Sequence, residues 1–340
     1  MSVKDKQAEL DEFEISTVKK FSLRSFFLQW EWLLVLILVL IFIMNANLSP
    51  NFLNVTGVFN STKQFLDKGF MVFPMALVLL LGAIDISVGA TAALCAVVLG
   101  LTFEAGLPFP IAVLIALLVG LSCGLINGIL VSQFEDIPPM ILTLGTMGIF
   151  RGLAYILLEN NSISGFPKGF INIGWGNVAG IPIVLIVFLI FAGLFIILLH
   201  KTVFGREVKV IGYNKETARV SGIKVNRNII IVFALLGFCA AVSGLFLTSR
   251  MSSVRADIAL QYELEVIAMV VLGGVSTSGG IGKMFGPIIS VFIIGFLRYG
   301  LGLINVSSQI ITLIIGLLLV GSVLVTNLDV SRLLNKKLKN

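Results

Sequence analysis

Apolar runs long enough to cross a lipid bilayer recur along nearly the whole chain, and they limit the fold more than any motif does. A spanning helix needs about 20 mainly apolar residues. Such runs fall near 32–48, 65–84, 86–104, 109–132, 139–158, 181–199, 229–248, 263–279, 286–304 and 307–326. Of the 340 residues, 57% are hydrophobic and 12% charged, against about 25% charged in a soluble domain. With so little polar surface, the chain must take lipid as its main solvent. The expected fold is all-α: a polytopic membrane protein of about ten transmembrane helices. Pro108 and Pro110, Pro138 and Pro139, and Pro182 mark helix starts, where a missing N–H costs nothing.

Positive residues set the orientation of such a chain. With the N-terminus inside, the cytoplasmic segments hold five Lys/Arg before the first span, seven between His200 and Asn228, Lys283, and four after Asn327. The outer segments hold only Lys63, Lys68, Lys168, Arg250 and Arg255. The bias places both termini in the cytoplasm. The expected organisation is a cytoplasmic segment 1–31, a transmembrane domain 32–326 with one large cytoplasmic loop at 200–228, and a cytoplasmic tail 327–340. The run from Trp32 to Met44 also looks like a signal-peptide core, but the many spans that follow favour an uncleaved first helix.

The two halves resemble each other. "AIDISVGATAALCAVV" begins at Ala83 and "RADIALQYELEVIAMVV" at Arg255; aligned on Asp85 and Asp257, they place Ala96 opposite Ala268. "GLING" and "GLINV" follow downstream, with Asn127 and Asn305. Five helices per half is an odd number, so the second half would enter from the opposite side. Inverted repeats of this kind suit a transporter with its path between the halves.

Several chemistries are disfavoured. "GGVSTSGGIGK" (273–283) has the glycines and lysine of a phosphate loop, but Met284 follows Gly282-Lys283 and Thr277 occupies the first glycine position, so it fails the P-loop pattern. The dinucleotide pattern fails at Phe285. Cys95, Cys123 and Cys239 lie in apolar runs without CxxC spacing, as buried packing residues do. His200 is the only histidine, a poor basis for a metal site; it would face headgroups or cap a helix. No catalytic constellation, metal ligand set or cofactor site emerges, and no nucleic-acid partner.

Inside the large loop, Asn214 is a good N-cap, Lys215 to Val220 can make two turns, and Gly222 can supply a left-handed stop. So short a helix is marginal in water and needs a surface to dock on. Lys215, Glu216, Thr217 and Arg219 give it mixed charge, unlike a basic membrane anchor. With the small residue Ala218 it reads as a peg for a protein groove, and Gly212 and Ser221 complete the candidate contact. Within the spans, Asp85 either serves a path or caps the third helix. Ser87, Thr91, Asn127, Thr143 and Thr146 are neutral polar candidates for the path. Arg151 and Arg298 either snorkel or bind a carbonyl. With no acidic ring or relay, a neutral hydroxylated solute fits better than an ion.

"GAIDISVGA" (82–90), "TLGTMGIFRGLAYI" (143–156), "FGREVKVIGYNKETARVSGIKV" (204–225) and "YELEVIAMVVLGGVSTSGG" (262–280) resemble the membrane subunits of ribose-type sugar ABC importers, in order and spacing, over nearly the whole chain. Within that family, "GFPKGF" and "LTSRMSSVRADIALQYELEV" look most like rhamnose importer permeases, and "GFP" and "HKT…GR" are shared with autoinducer-2 importer permeases. The resemblance implies a bacterial inner-membrane permease, paired with a second permease that is identical or a sister chain. It also implies ATPase subunits below and a solute-binding protein above. The Asn214–Gly222 segment would be the coupling helix, and ATP and Mg would be bound by the ATPase. The chain departs from the family pattern at Thr277-Ser278, where relatives often carry an aliphatic–small pair. An ion-coupled secondary carrier is the competing expectation.

Overall fold

The computed structural model describes residues 30–48, 52, 55–159 and 161–327. The expected N-terminal segment, apart from Trp30 and Glu31, and the tail beyond Asn327 lie outside them. The described residues form fourteen helices. They are α1 (Trp30–Leu48), α2 (Val55–Thr62), α3 (Leu66–Leu80), α4 (Val88–Glu104), α5 (Phe109–Gln133), α6 (Pro139–Leu158) and α7 (Lys168–Trp175). After them come α8 (Ile183–Lys201), α9 (Val203–Tyr213), α10 (Lys215–Val220), α11 (Val225–Met251), α12 (Tyr262–Leu272), α13 (Phe285–Leu303) and α14 (Ser308–Asn327). Each of the ten expected segments contains a helix, and six helices, α1, α5, α6, α8, α11 and α13, are long and apolar enough to cross a membrane.

Proline starts the helices it was expected to start: α5, α6 and α8 follow Pro108, Pro138 and Pro182. The main departure is α12. It stops at Leu272, not near 279, because Gly273 caps it and Gly274 turns the chain at φ +81°. At 1.5 Å rise per residue, eleven residues reach about half-way across a bilayer. Helix α9 also precedes the expected α10, with the Thr202 hydroxyl accepting from the Gly205 N–H. Two short antiparallel pairs complete the fold. Ile163–Ser164 (β1) pairs with Ser253–Val254 (β4), and Asn177–Val178 (β2) pairs with Ile181–Pro182 (β3).

The interior is built around α3, whose fifteen residues are all buried. Past Asp67 and Lys68 in its first turn it is apolar on every side, as a core helix is, and α3 packs against α8, α9, α11, α12 and α13. Phe70 stacks on Phe246 of α11 and Phe73 on Phe195 of α8. The most extensive helix pair is α5 with α11. Gly120, Gly124 and Gly128 recur every fourth residue on α5, and a Cβ at Gly124 would stand 3.0 Å from Ala234 Cα and Gly237 N of α11. Such stripes let backbones approach closely, which is how helices associate where lipid removes the hydrophobic drive.

The outer faces of α5, α6 and α8 are apolar, with Leu114, Ile141, Ile149, Ile156, Ile190 and Leu194 exposed. The bundle thus has a loop end, where α3 stops and α9 and α10 lie, and a far end, where α3 begins.

Candidate functional site

At the loop end, α10 stands between two backbone devices. The Asn214 side-chain oxygen accepts from the Thr217 N–H at 2.9 Å, and the Ile223 N–H returns to the Ala218 carbonyl at 3.0 Å around Gly222, at φ +80°. The expected cap and left-handed stop are both present. Ala218 is fully buried, so it anchors the peg to its own chain and does not form the outward surface. That surface is made by Glu216, Thr217, Arg219, Val220, Ser221 and Gly222, with Lys215 half-buried. Val220 is 90% and Tyr213 68% exposed, the most exposed apolar side chains of this segment. Arg219 bonds Glu216 at 2.8 Å and also Glu135 in the α5–α6 link. The Glu135 hydrogen bond pushes the guanidinium pKa up, fixing its charge.

Gly212 connects this segment to the core. Its backbone lies against the Leu80 carbonyl at the end of α3 and against Gly280 of the glycine-rich loop. The Gly280 N–H donates to that same carbonyl at 2.8 Å, and the Tyr213 ring covers Gly280. The loop binds its own chain. Ser276 N–H donates to Ile281 O, and Gly279 N–H to Ser276 O. The Met284 N–H donates to His200 Nε2 at 3.2 Å, so His200 caps α13 from another helix. Trp30 Nε1–H donates to Leu272 O at 2.8 Å, and Lys283 pairs with Glu31 at 2.8 Å. The loop's Ser276, Gly279 and Gly280 amides are thus spent on bonds inside the chain.

Four of the six path candidates form a buried polar knot. Asp85 Oδ1 accepts from the Ser87 N–H and hydroxyl, both at 2.7 Å. Asn127 Nδ2 donates to Asp85 Oδ2 at 3.2 Å and to Ser87 Oγ at 2.8 Å. The Thr143 hydroxyl donates to Ile84 O and accepts from the Ile86 N–H, each at 3.2 Å. Asp85, Ser87, Asn127 and Thr143 thus lock the α3–α4 link to α5 and α6. Thr146 stays on α6, donating to Thr143 O, and Thr91 lies a turn deeper in α4. All six are buried. Asn127 Oδ1 is buried without a partner, so the knot keeps one unused acceptor.

A second cluster, at the far end, escaped sequence reasoning. Asp67 Oδ2 accepts from Arg250 at 3.2 Å and from the Tyr262 hydroxyl at 2.9 Å. Glu265 accepts from both Lys68 and Arg298. Lys68 Nζ also sits 4.3 Å from the Tyr262 ring centroid. Arg298 therefore pairs with a carboxylate, whereas Arg151 binds carbonyls, those of Ala256 and Ile258, at 2.9 and 2.8 Å. The available signal was the presence of Lys68 and Glu265 in apolar runs, where an ionisable residue needs a partner.

The chain is thus a bundle of membrane-length apolar helices with a capped, exposed helix at one end. The family model described as branched-chain amino acid transport system / permease component matches residues 57–323. The chain belongs to this family of ABC importer permeases: it is a multi-pass membrane transport component, not an enzyme. It is 36% identical over 297 residues to the autoinducer 2 import system permease protein LsrD of Escherichia coli (strain K12), covering 86% of this chain and 90% of that one. The figures are the same for LsrD of Shigella flexneri. No solved structure matches the chain.

Proposed function

We infer that the chain is one half of the membrane path of an ATP-driven importer in the bacterial cytoplasmic membrane. It would carry a small hydroxylated solute and pair with a second permease, identical or a sister chain. The loop end faces the cytoplasm and docks ATPase subunits, which bind ATP and Mg; the far end receives solute from a binding protein. The positive residues of 200–228 and Lys283 at the loop end support this orientation. The repeat motifs stand at opposite ends, Asp85 before α4 and Asp257 before α12, as inverted halves require. In this reading the ten helical segments form two inverted sets of five.

The observation that carries the reading is the Gly212 clamp. It ties the protruding α9–α10 segment to the end of α3, the helix that runs buried through the bundle to the far-end ion cluster. A movement imposed on α10 reaches α3 through backbone contacts, with no flexible side chain between. The Asp85 knot, at the same end of α3, would open or re-form as α3 shifts against α5 and α6.

Rhamnose and autoinducer-2 are the two solutes to test, and the identity to LsrD proteins favours autoinducer-2. Val220→Glu puts a charge on the most exposed apolar side chain of α10 without touching the chain's own packing. Co-purification of the ATPase and solute uptake should each fall tenfold or more, with membrane level unchanged. Undiminished co-purification would mean that this face docks nothing.

A further inference from the structure

At the far end, α3, α11, α12, α13 and α14 line a half-open cavity of about 570 Å³, within the range of roughly 300–1,000 Å³ common for small-molecule sites. Its polar wall consists of Gln64, Lys68, Arg250, Tyr262, Arg298 and Tyr299. The two carboxylates nearby, Asp67 and Glu265, are already engaged by Arg250, Tyr262, Lys68 and Arg298. What the wall offers a visitor is therefore mainly donors: two guanidinium groups, an ammonium, an amide and the Tyr299 phenol, the Tyr262 hydroxyl having spent its proton on Asp67. The Arg250 Nε–H is buried without a partner, a donor of the kind that buried structures normally satisfy. A wall with surplus positive charge rejects cations, and its donors suit oxygen atoms. The ion pairs fix the donors in place before anything arrives, so little ordering cost remains on binding.

We propose that this cavity binds a small polyhydroxylated solute and is the first site it occupies on the permease. The proposal rests on the importer reading, which puts the cavity on the side where solute is delivered. It adds a location and a set of contacts that the coupling element and the Asp85 knot do not supply.

Gly302 allows a clean test. It lines the cavity, and a Cβ built there meets no atom within 4 Å. In Gly302→Trp the first side-chain carbon meets no neighbour, and the indole is placed to occupy the cavity. The importer, with its ATPase and binding protein, is reconstituted in vesicles and assayed with autoinducer-2 and with rhamnose. Gly302→Trp should lower uptake tenfold or more while ATP hydrolysis stays within twofold of wild type. Gln64→Leu, an exposed change at the mouth, should raise the KM for uptake severalfold with kcat unchanged. If Gly302→Trp fails to assemble, the Gln64→Leu KM decides. Wild-type uptake kinetics in Gln64→Leu together with normal uptake in any assembled Gly302→Trp would overturn the site while leaving the importer reading intact. Absence of ATP-dependent uptake by the wild-type assembly would overturn both.

Discussion

Gly212→Val should abolish transport, with uptake down by two orders of magnitude or more in protein that still reaches the membrane. The first carbon of a side chain at 212 would stand 2.5 Å from Gly280 N and 2.9 Å from the Leu80 carbonyl carbon. Neither neighbour can yield, because both are backbone and they hydrogen-bond each other at 2.8 Å. The substitution must part α9 from α3 or break that bond. Overpacking costs about 1–3 kcal/mol, and a buried group left without its bond about 1–3 kcal/mol more. The expected signature is separation of function: the ATPase still binds through Val220 and Tyr213, but its turnover no longer drives uptake. Transport assays on the assembled importer check this, and near-normal uptake in Gly212→Val would remove the clamp from the mechanism.

The largest stability effect should come from Glu265→Gln. Lys68 and Arg298 both rely on this carboxylate, and Lys68 is only 5% exposed. Removing one partner of a buried pair costs about 3–5 kcal/mol, mostly because the remaining charge is stranded. The detergent-solubilised protein should therefore unfold at a clearly lower temperature. Adding Lys68→Met removes the more buried of the two stranded charges and should restore much of the loss, a non-additivity that marks direct coupling. Equal melting temperatures for the single variant and the parent would show that the cluster contributes nothing to the fold.

The contrast between these two sites shows which parts of the molecule local sequence reveals. Helix starts at Pro108, Pro138 and Pro182, the Asn214 cap and the Gly222 stop are short-range effects, visible within a few residues. The helical segments were legible for the same reason, since apolar length alone marks them. Lys68 and Glu265 lie 197 residues apart, and no local pattern reports such a pairing. The direction of Ala218 was also hidden, because six residues make too few turns to reveal which face a helix buries. Its smallness is explained by packing beneath α10, where the sequence suggested a groove in a partner. The glycine-rich loop resembled a ligand site because backbone crowding and phosphate binding both select glycine. Thr277 and Met284 already break the phosphate-loop pattern in the sequence, and the Gly280, Ser276 and Gly279 N–H groups are bonded within the chain. For the polar candidates, type and spacing brought Asp85, Ser87, Asn127 and Thr143 to notice, while their closure into one knot depended on how α4, α5 and α6 pack.

The central claim is that motion begins outside this chain and enters through α10. The most direct measurement is accumulation of autoinducer-2 and rhamnose in vesicles that contain the permease alone, and then with its ATPase and binding protein added. Accumulation should appear only with all components and ATP, and a proton or sodium gradient should not replace the nucleotide. Gradient-driven accumulation by the permease alone would contradict it.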